Sequence, residues 1–225
     1  MDGNSAEDGT NMITLYIKGG VNHTVGDCPL CQRVYMVLKL KDLNFRVMAI
    51  NTKAPPQEYK AIAGPKKPPI LVDGEAVYFD LAEMVDYLDA SYQKSLQPKD
   101  KETHNVGIEV FIALSKYLKN KDDTKNEKLK TNLMKKLLTI NDALEINGGP
   151  FLDGEVMTLP DCNLLPKLYH VEVCGRRISE KGYVIPEAMT NIHRYLDAFK
   201  NSEVFEETKV EESEIEYGWR QHRML

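Results

Sequence analysis

The stretch Gly26-Asp27-Cys28-Pro29-Leu30-Cys31-Gln32-Arg33 lies between a strand pattern and a helix pattern, and its reading decides the fold. Upstream, Ile13, Leu15 and Ile17 alternate with Thr14 and Tyr16, the two-residue period of a strand with one apolar face, and Gly19-Gly20 end it. Downstream, Leu30, Val34, Val37 and Leu38 recur at helical spacing in a run that reaches Asp42, and Pro29 suits a first helical turn. The C-x-x-C therefore opens a helix. Unpaired N–H groups and the positive end of the dipole stabilise a thiolate there, which predicts for Cys28 a pKa in the range of about 3.5 to 7.5. Cys31, one turn on, is placed to attack a mixed disulfide at Cys28 or to close a Cys28 to Cys31 disulfide. Both residues are read as a redox, catalytic pair.

Working outward, Phe45 to Ile50 reads as a strand and Gln57 to Ala63 as a short helix stopped by Gly64-Pro65. Ile70 to Asp73 and Ala76 to Phe79 read as two strands around an Asp73-Gly74 turn. Leu81, Met84, Val85 and Leu88 then share one helical face. From about Thr103 the periodicity is helical throughout: Val106, Val110, Phe111, Leu114 and Leu118; Leu129, Leu133, Leu137, Ile140 and Leu144; Leu164, Leu165, Leu168 and Val171; Ile192, Tyr195, Leu196 and Phe199. The expected organisation is a loose segment 1–11, an α/β domain over 12–92, a polar linker over 93–102 and an all-helical domain over 103–225. Thr158-Leu159-Pro160-Asp161 resembles a capping box at the start of a central helix. Pro68-Pro69 stands at a strand start, where a missing N–H does no harm.

Composition narrows the function classes. The 225 residues are 42% hydrophobic and 28% charged, the mixture of an ordinary globular chain. A net charge of −5 offers no positive field for nucleic acid. Four cysteines are too few for a secreted staple framework, which favours a reducing compartment, and the polar, acidic first residues do not read as a signal peptide. Cys162 and Cys174 lack the spacing of a second zinc pair, so no metal is expected. Eight lysines lie between Lys116 and Lys136, read as a solvated face, with anionic lipid as the sharper alternative. Glu203, Glu206, Glu207, Glu211, Glu212, Glu214 and Glu216 read as an acidic tail.

Three long segments carry a resemblance: GDCPLCQRVYMVLKLK from Gly26 to Lys41, FLDGEVMTLPDCNLLPKL from Phe151 to Leu168, and IPEAMTNIHRYL from Ile185 to Leu196. With them the chain resembles the chloride intracellular channel (CLIC) proteins of the glutathione S-transferase superfamily. The resemblance implies a thioredoxin-like α/β N-terminal domain, an all-α C-terminal domain, a cytoplasmic, monomeric soluble form and glutathione as ligand or cosubstrate. It implies Cys28 as the glutathione-facing thiol, Pro69 as a cis-proline whose preceding backbone N–H and C=O, at Pro68, pair with the tripeptide, and Asp80 at the γ-glutamyl end. It also implies association with anionic membranes and chloride conduction through the segment beginning at Cys28. Lys39 stands where the family commonly has Trp, and three charges near the middle of that segment put its insertion cost at roughly 8 to 10 kcal/mol.

The readings from different classes are thus a CLIC-type protein with a glutaredoxin-like thiol site, a purely soluble glutathione-dependent oxidoreductase of glutaredoxin or dehydroascorbate reductase type, and a non-catalytic scaffold that only keeps the fold.

Overall fold

The computed structural model describes residues 12–21, 24–147, 149–178, 183 and 185–224. The expected loose segment 1–11 lies outside them. The α/β portion holds β1 (Ile13–Lys18), α1 (Pro29–Leu40), β2 (Phe45–Ile50), α2 (Gln57–Ala63), β3 (Ile70–Asp73), β4 (Ala76–Tyr78) and α3 (Leu81–Ser91). The helical portion holds α4 (Val110–Leu118), α5 (Asn126–Asn147), α6 (Leu159–Arg177), α7 (Thr190–Lys200), α8 (Glu203–Thr208) and α9 (Glu212–Met224). This is the thioredoxin-like sheet followed by an all-helical region that the sequence predicts.

The strands run in the order β2-β1-β3-β4, with β1 parallel to β2 and antiparallel to β3. Because β1 is internal, helices cover both of its faces. Ile13, Leu15 and Ile17 pack with Val34 and Leu38 of α1, while Tyr16 packs with Tyr59 and Ala63 of α2 on the other side. The alternation in β1 therefore does not mark a wet face: Thr14 and Tyr16 are buried too. The β3–β4 turn is Gly74-Glu75 rather than Asp73-Gly74, since Asp73 pairs with Ala76 and Gly74 takes the positive φ.

In the helical portion α6 is central, packing against α1, α4, α7 and α9. Leu164, Leu165, Leu168 and Val171 are fully buried, and so are Cys162 and Cys174. Leu133, Leu137, Ile140 and Leu144 of α5 form a buried stripe, each contributing about 1.5–3 kcal/mol of apolar transfer energy. Asp161 starts α6: its Oδ2 accepts the Thr158 N–H at 2.8 Å and hydroxyl at 2.9 Å, and its Oδ1 accepts the Leu152 N–H and the Tyr195 hydroxyl. The capping box is present, with the carboxylate as its hub.

Two expectations need correction. The periodicity starting at Val106 is not a helix start, because Lys101–Asn105 form a 3-10 turn and α4 begins only at Val110. Nor is the acidic stretch a plain tail. It forms α8 and α9, with Phe205, Ile215 and Trp219 buried and with Glu212 and Glu216 paired to Arg176 and Arg177 at the end of α6. Its glutamates line the outside of a docked helix.

Candidate thiol redox site

The loop before α1 folds back on the end of β1. Gly26 N–H donates to Lys18 O at 2.8 Å, and a Cβ at Gly26 would sit 2.7 Å from that oxygen, so the close approach requires glycine. Cys28 follows in extended conformation as the residue capping α1, and its carbonyl accepts the Gln32 N–H at 3.1 Å. Its side chain is half-buried.

Several groups act on the Cys28 sulfur. A hydrogen bond from the Cys31 thiol favours the thiolate most, burial opposes it, and the N–H groups of Cys31 and Leu30 and the charge of Lys18 add to the first effect. The result is a pKa lowered to about 7. Cys31 is fully buried, its sulfur accepts the Lys18 N–H at 3.4 Å, and burial pushes its thiol well above the ordinary value. The two thiols of the motif are thus split in character: one ionises near neutrality and the other stays protonated.

The sheet register brings the remaining predicted residues to the same end. Tyr16 pairs with Ile70, so Pro69 follows on beside the Lys18 end of β1, and the Pro68–Pro69 bond is cis. Leu71 pairs with Tyr78, and continuing that register puts Asp80 across from Pro69. Pro68 has no N–H, so only its carbonyl is left to pair with an extended peptide; the N–H expected there does not exist. Asp80 is the N-cap of α3, its Oδ1 accepting the Ala82 and Glu83 N–H groups at 2.8 and 3.1 Å, which leaves Oδ2 for a ligand. A cleft of about 460 Å³ lined by Met12, Ile13, Leu43, Asn44, Asp73, Gly74 and Tyr92 opens at the opposite end of the sheet, away from the thiol.

Sequence reasoning missed the groups behind the loop. Lys18 and Asp27 form an ion pair, and Asp27 lies against α9 so closely that a Cβ on Gly218 would fall 1.6 Å from Asp27 Oδ2. Glu214 accepts the Val21 N–H at 2.9 Å. Trp219 donates its indole N–H to Nδ1 of His170, a fully buried imidazole whose pKa burial lowers to about 4. The single Trp of the chain, lying in a glutamate-rich stretch, was the available signal that this stretch is docked.

A mixed four-stranded sheet with a cysteine at the start of its first helix, a cis-proline at a strand start and a following helical region is the glutathione S-transferase architecture. Residues 11–95 match the CLIC-like N-terminal domain family, a stretch that includes the first of the three segments quoted above. Among solved structures, the chain is similar to a dehydroascorbate reductase from Chlamydomonas reinhardtii at 26% identity and a TM-score of 0.83, covering 94% of this chain and 98% of that one. It is also similar to the CLIC homologue EXC-4 from C. elegans, at 20% identity and TM-score 0.82 over 96% of this chain and 88% of that one. A trimeric glutathione transferase from Leishmania, TDR1, matches at 18% identity and TM-score 0.74, over 94% of this chain and 49% of that one. The last two likenesses speak for the fold alone.

Proposed function

We propose that the protein is a CLIC-type, glutathione-dependent thiol oxidoreductase that works through Cys28. The observation that carries this reading is the Cys28 thiol at the mouth of α1, lowered to about 7 with the Cys31 thiol donating to it. The Cys28 thiolate attacks the glutathionyl sulfur of a mixed disulfide. A Cys28–glutathione disulfide forms, the original S–S bond breaks, and the departing thiolate takes a proton from solvent. A second glutathione thiolate then attacks the same glutathionyl sulfur, releasing oxidised glutathione and restoring the Cys28 thiolate. Cys31 serves as the hydrogen-bond donor that stabilises this leaving group. The Pro68 carbonyl and Asp80 Oδ2 bind the tripeptide's backbone and ammonium. The likeness to a dehydroascorbate reductase supports small oxidised substrates as a second electron acceptor.

The test is the glutathione-dependent reduction of a glutathionylated disulfide by purified protein. Cys28→Ser abolishes turnover and Cys31→Ser retains it; equal rates for the parent and Cys28→Ser overturn the reading in favour of a scaffold.

The membrane-associating, chloride-conducting form belongs to the same proposal only as a conditional state. Among the described residues, no helix is long and apolar enough to cross a membrane. Using the Cys28 segment for insertion means separating Lys39 from Glu207 and drawing the fully buried Lys41 ammonium away from Asp89 and the Lys94 carbonyl. We propose weak, condition-dependent association with anionic vesicles, read by flotation and chloride efflux.

A further inference from the structure

The seam where α1 packs on α6 brings two cations onto one neutral acceptor. Arg33 Nη1 and Lys167 Nζ donate to one neutral acceptor, Asn163 Oδ1, at 3.0 and 2.7 Å, which holds the two cationic nitrogens less than about 6 Å apart. Among the described residues, neither forms an ion pair with an acid. Arg33 Nε is buried without a hydrogen-bond partner, and so are both amide atoms of the neighbouring Gln32. Both cationic side chains are only half-buried, so solvent reaches them.

This is an uneconomical way to join two helices. Charges taken partly out of water are usually paired, and like charges brought together in such a seam raise each other's cost. Burial and the charge of Arg33 push the Lys167 ammonium down to about 8. On Arg33, burial acts first, and the groups facing it are the Cys162 thiol of α6 and Asp86 on α3. No acid acts on Lys167.

We propose that this seam is a binding site for a doubly charged oxyanion of the phosphate type, gripped by Arg33 and Lys167. Two adjacent cations match a dianion. The guanidinium fork suits planar pairs of phosphate oxygens, the ammonium adds a point charge, and Asn163 Nδ2, on the amide that both cations already meet, is a further donor. Along α1, Arg33 stands five residues beyond Cys28, a rise of about 7.5 Å, so the site is separate from the sulfur yet on the same helix.

The experiment is calorimetric titration and thermal melting with inorganic phosphate against chloride at matched ionic strength, without glutathione. The expected result is one-to-one phosphate binding and a higher Tm in phosphate than in chloride. Lys167→Met and Arg33→Gln each weaken binding by about ten- to hundredfold and lose the Tm shift, while Cys28→Ser retains both. Binding at pH 8 takes up protons, read from titrations in two buffers of different ionisation enthalpy, because the anion raises the Lys167 pKa; this readout needs no variant. A phosphomonoester such as glycerol 2-phosphate that binds as well as free phosphate assigns the site to phosphorylated small molecules, and weaker binding assigns it to the free ion. A simple helix-to-helix tie predicts the opposite pattern. No phosphate-specific shift, no proton uptake, or an equal Tm loss in both variants at every phosphate concentration overturns the proposal.

Discussion

The Trp219 indole donates to His170 Nδ1 at 3.1 Å, joining α9 to α6 behind the thiol loop. Phe111 of α4 packs edge-on against the same imidazole, so three helices meet on one buried histidine. Asp27 and Lys18 are the charged groups that act on it, with opposite signs, and its Nε2 has no partner.

That histidine sets an acid limit. Its folded pKa of about 4 lies below the ordinary 6.5, so the unfolded chain takes up a proton first as pH falls. The contribution to stability is complete above pH 6.5 and is lost progressively between 6.5 and 4, amounting to roughly 3 kcal/mol. Urea midpoints measured across this range fall steeply for the parent protein and less steeply for His170→Phe. Parallel curves for the two sink the assignment.

At the thiol itself, alkylation by iodoacetamide should follow the thiolate fraction, half-maximal near pH 7. Cys31→Ala removes the largest favourable contribution and moves the midpoint upward toward 9. Cys31→Ser, which keeps a donor, moves it less. Identical midpoints for all three proteins show that Cys31 does not tune Cys28.

Asp161 accepts four donors while buried. Asp161→Ala strands the Leu152 and Thr158 N–H groups and the Tyr195 hydroxyl, and costs about 3 kcal/mol or more. Thr158→Ala leaves the carboxylate's other bonds in place and costs about 0.5 to 2 kcal/mol. Chemical denaturation of the two variants should rank them in that order; the reverse order refutes the carboxylate as hub.

Lys39 lies between two fates, ion pair with Glu207 in the fold and charge to be desolvated in a membrane. Lys39→Trp loses an exposed pair worth about 0.2–1 kcal/mol and gains an interfacial aromatic. Flotation with acidic vesicles should increase for this variant at neutral and acidic pH. Strong chloride efflux by the parent protein at neutral pH, unchanged by Lys39→Trp, means that the charge of this segment does not govern insertion.

Gly218 has no room for a side chain beside Asp27. In Gly218→Ala the methyl group displaces the Asp27 carboxylate or lifts α9, lowering Tm and speeding alkylation of Cys28. Unchanged melting and alkylation would mean that α9 does not brace the loop.

The local code of the chain was legible where it is redundant. The strand and helix patterns around Cys28 and the stripes of α5, α6 and α7 repeat one signal several times, the Gln57–Ala63 helix is marked by its Gly64-Pro65 stop, and each is found where the pattern puts it. What was not legible depends on contacts far apart in sequence. Burial of Thr14 and Tyr16 follows from the central place of β1, which no local window reveals. Ile215 and Trp219 mark α9 as docked, but the surrounding glutamates dominate its composition, and only their pairing with Arg176 and Arg177 shows why they tolerate the position. At the site, the place of Cys28 before a helix was readable, whereas the His170–Trp219 and Lys18–Asp27 pairs become visible only when α6, α9 and β1 converge.

The brace on the thiol loop also reaches across the chain. Val21 and Glu214 are separated by 193 residues, and closing a loop of that span costs more chain entropy than making the local contacts of the loop. The β1–α1 unit that holds Cys28 is by contrast made of neighbours in sequence. The Cys28 loop therefore takes its setting from neighbours in sequence and its cover from α9, 193 residues further along the chain.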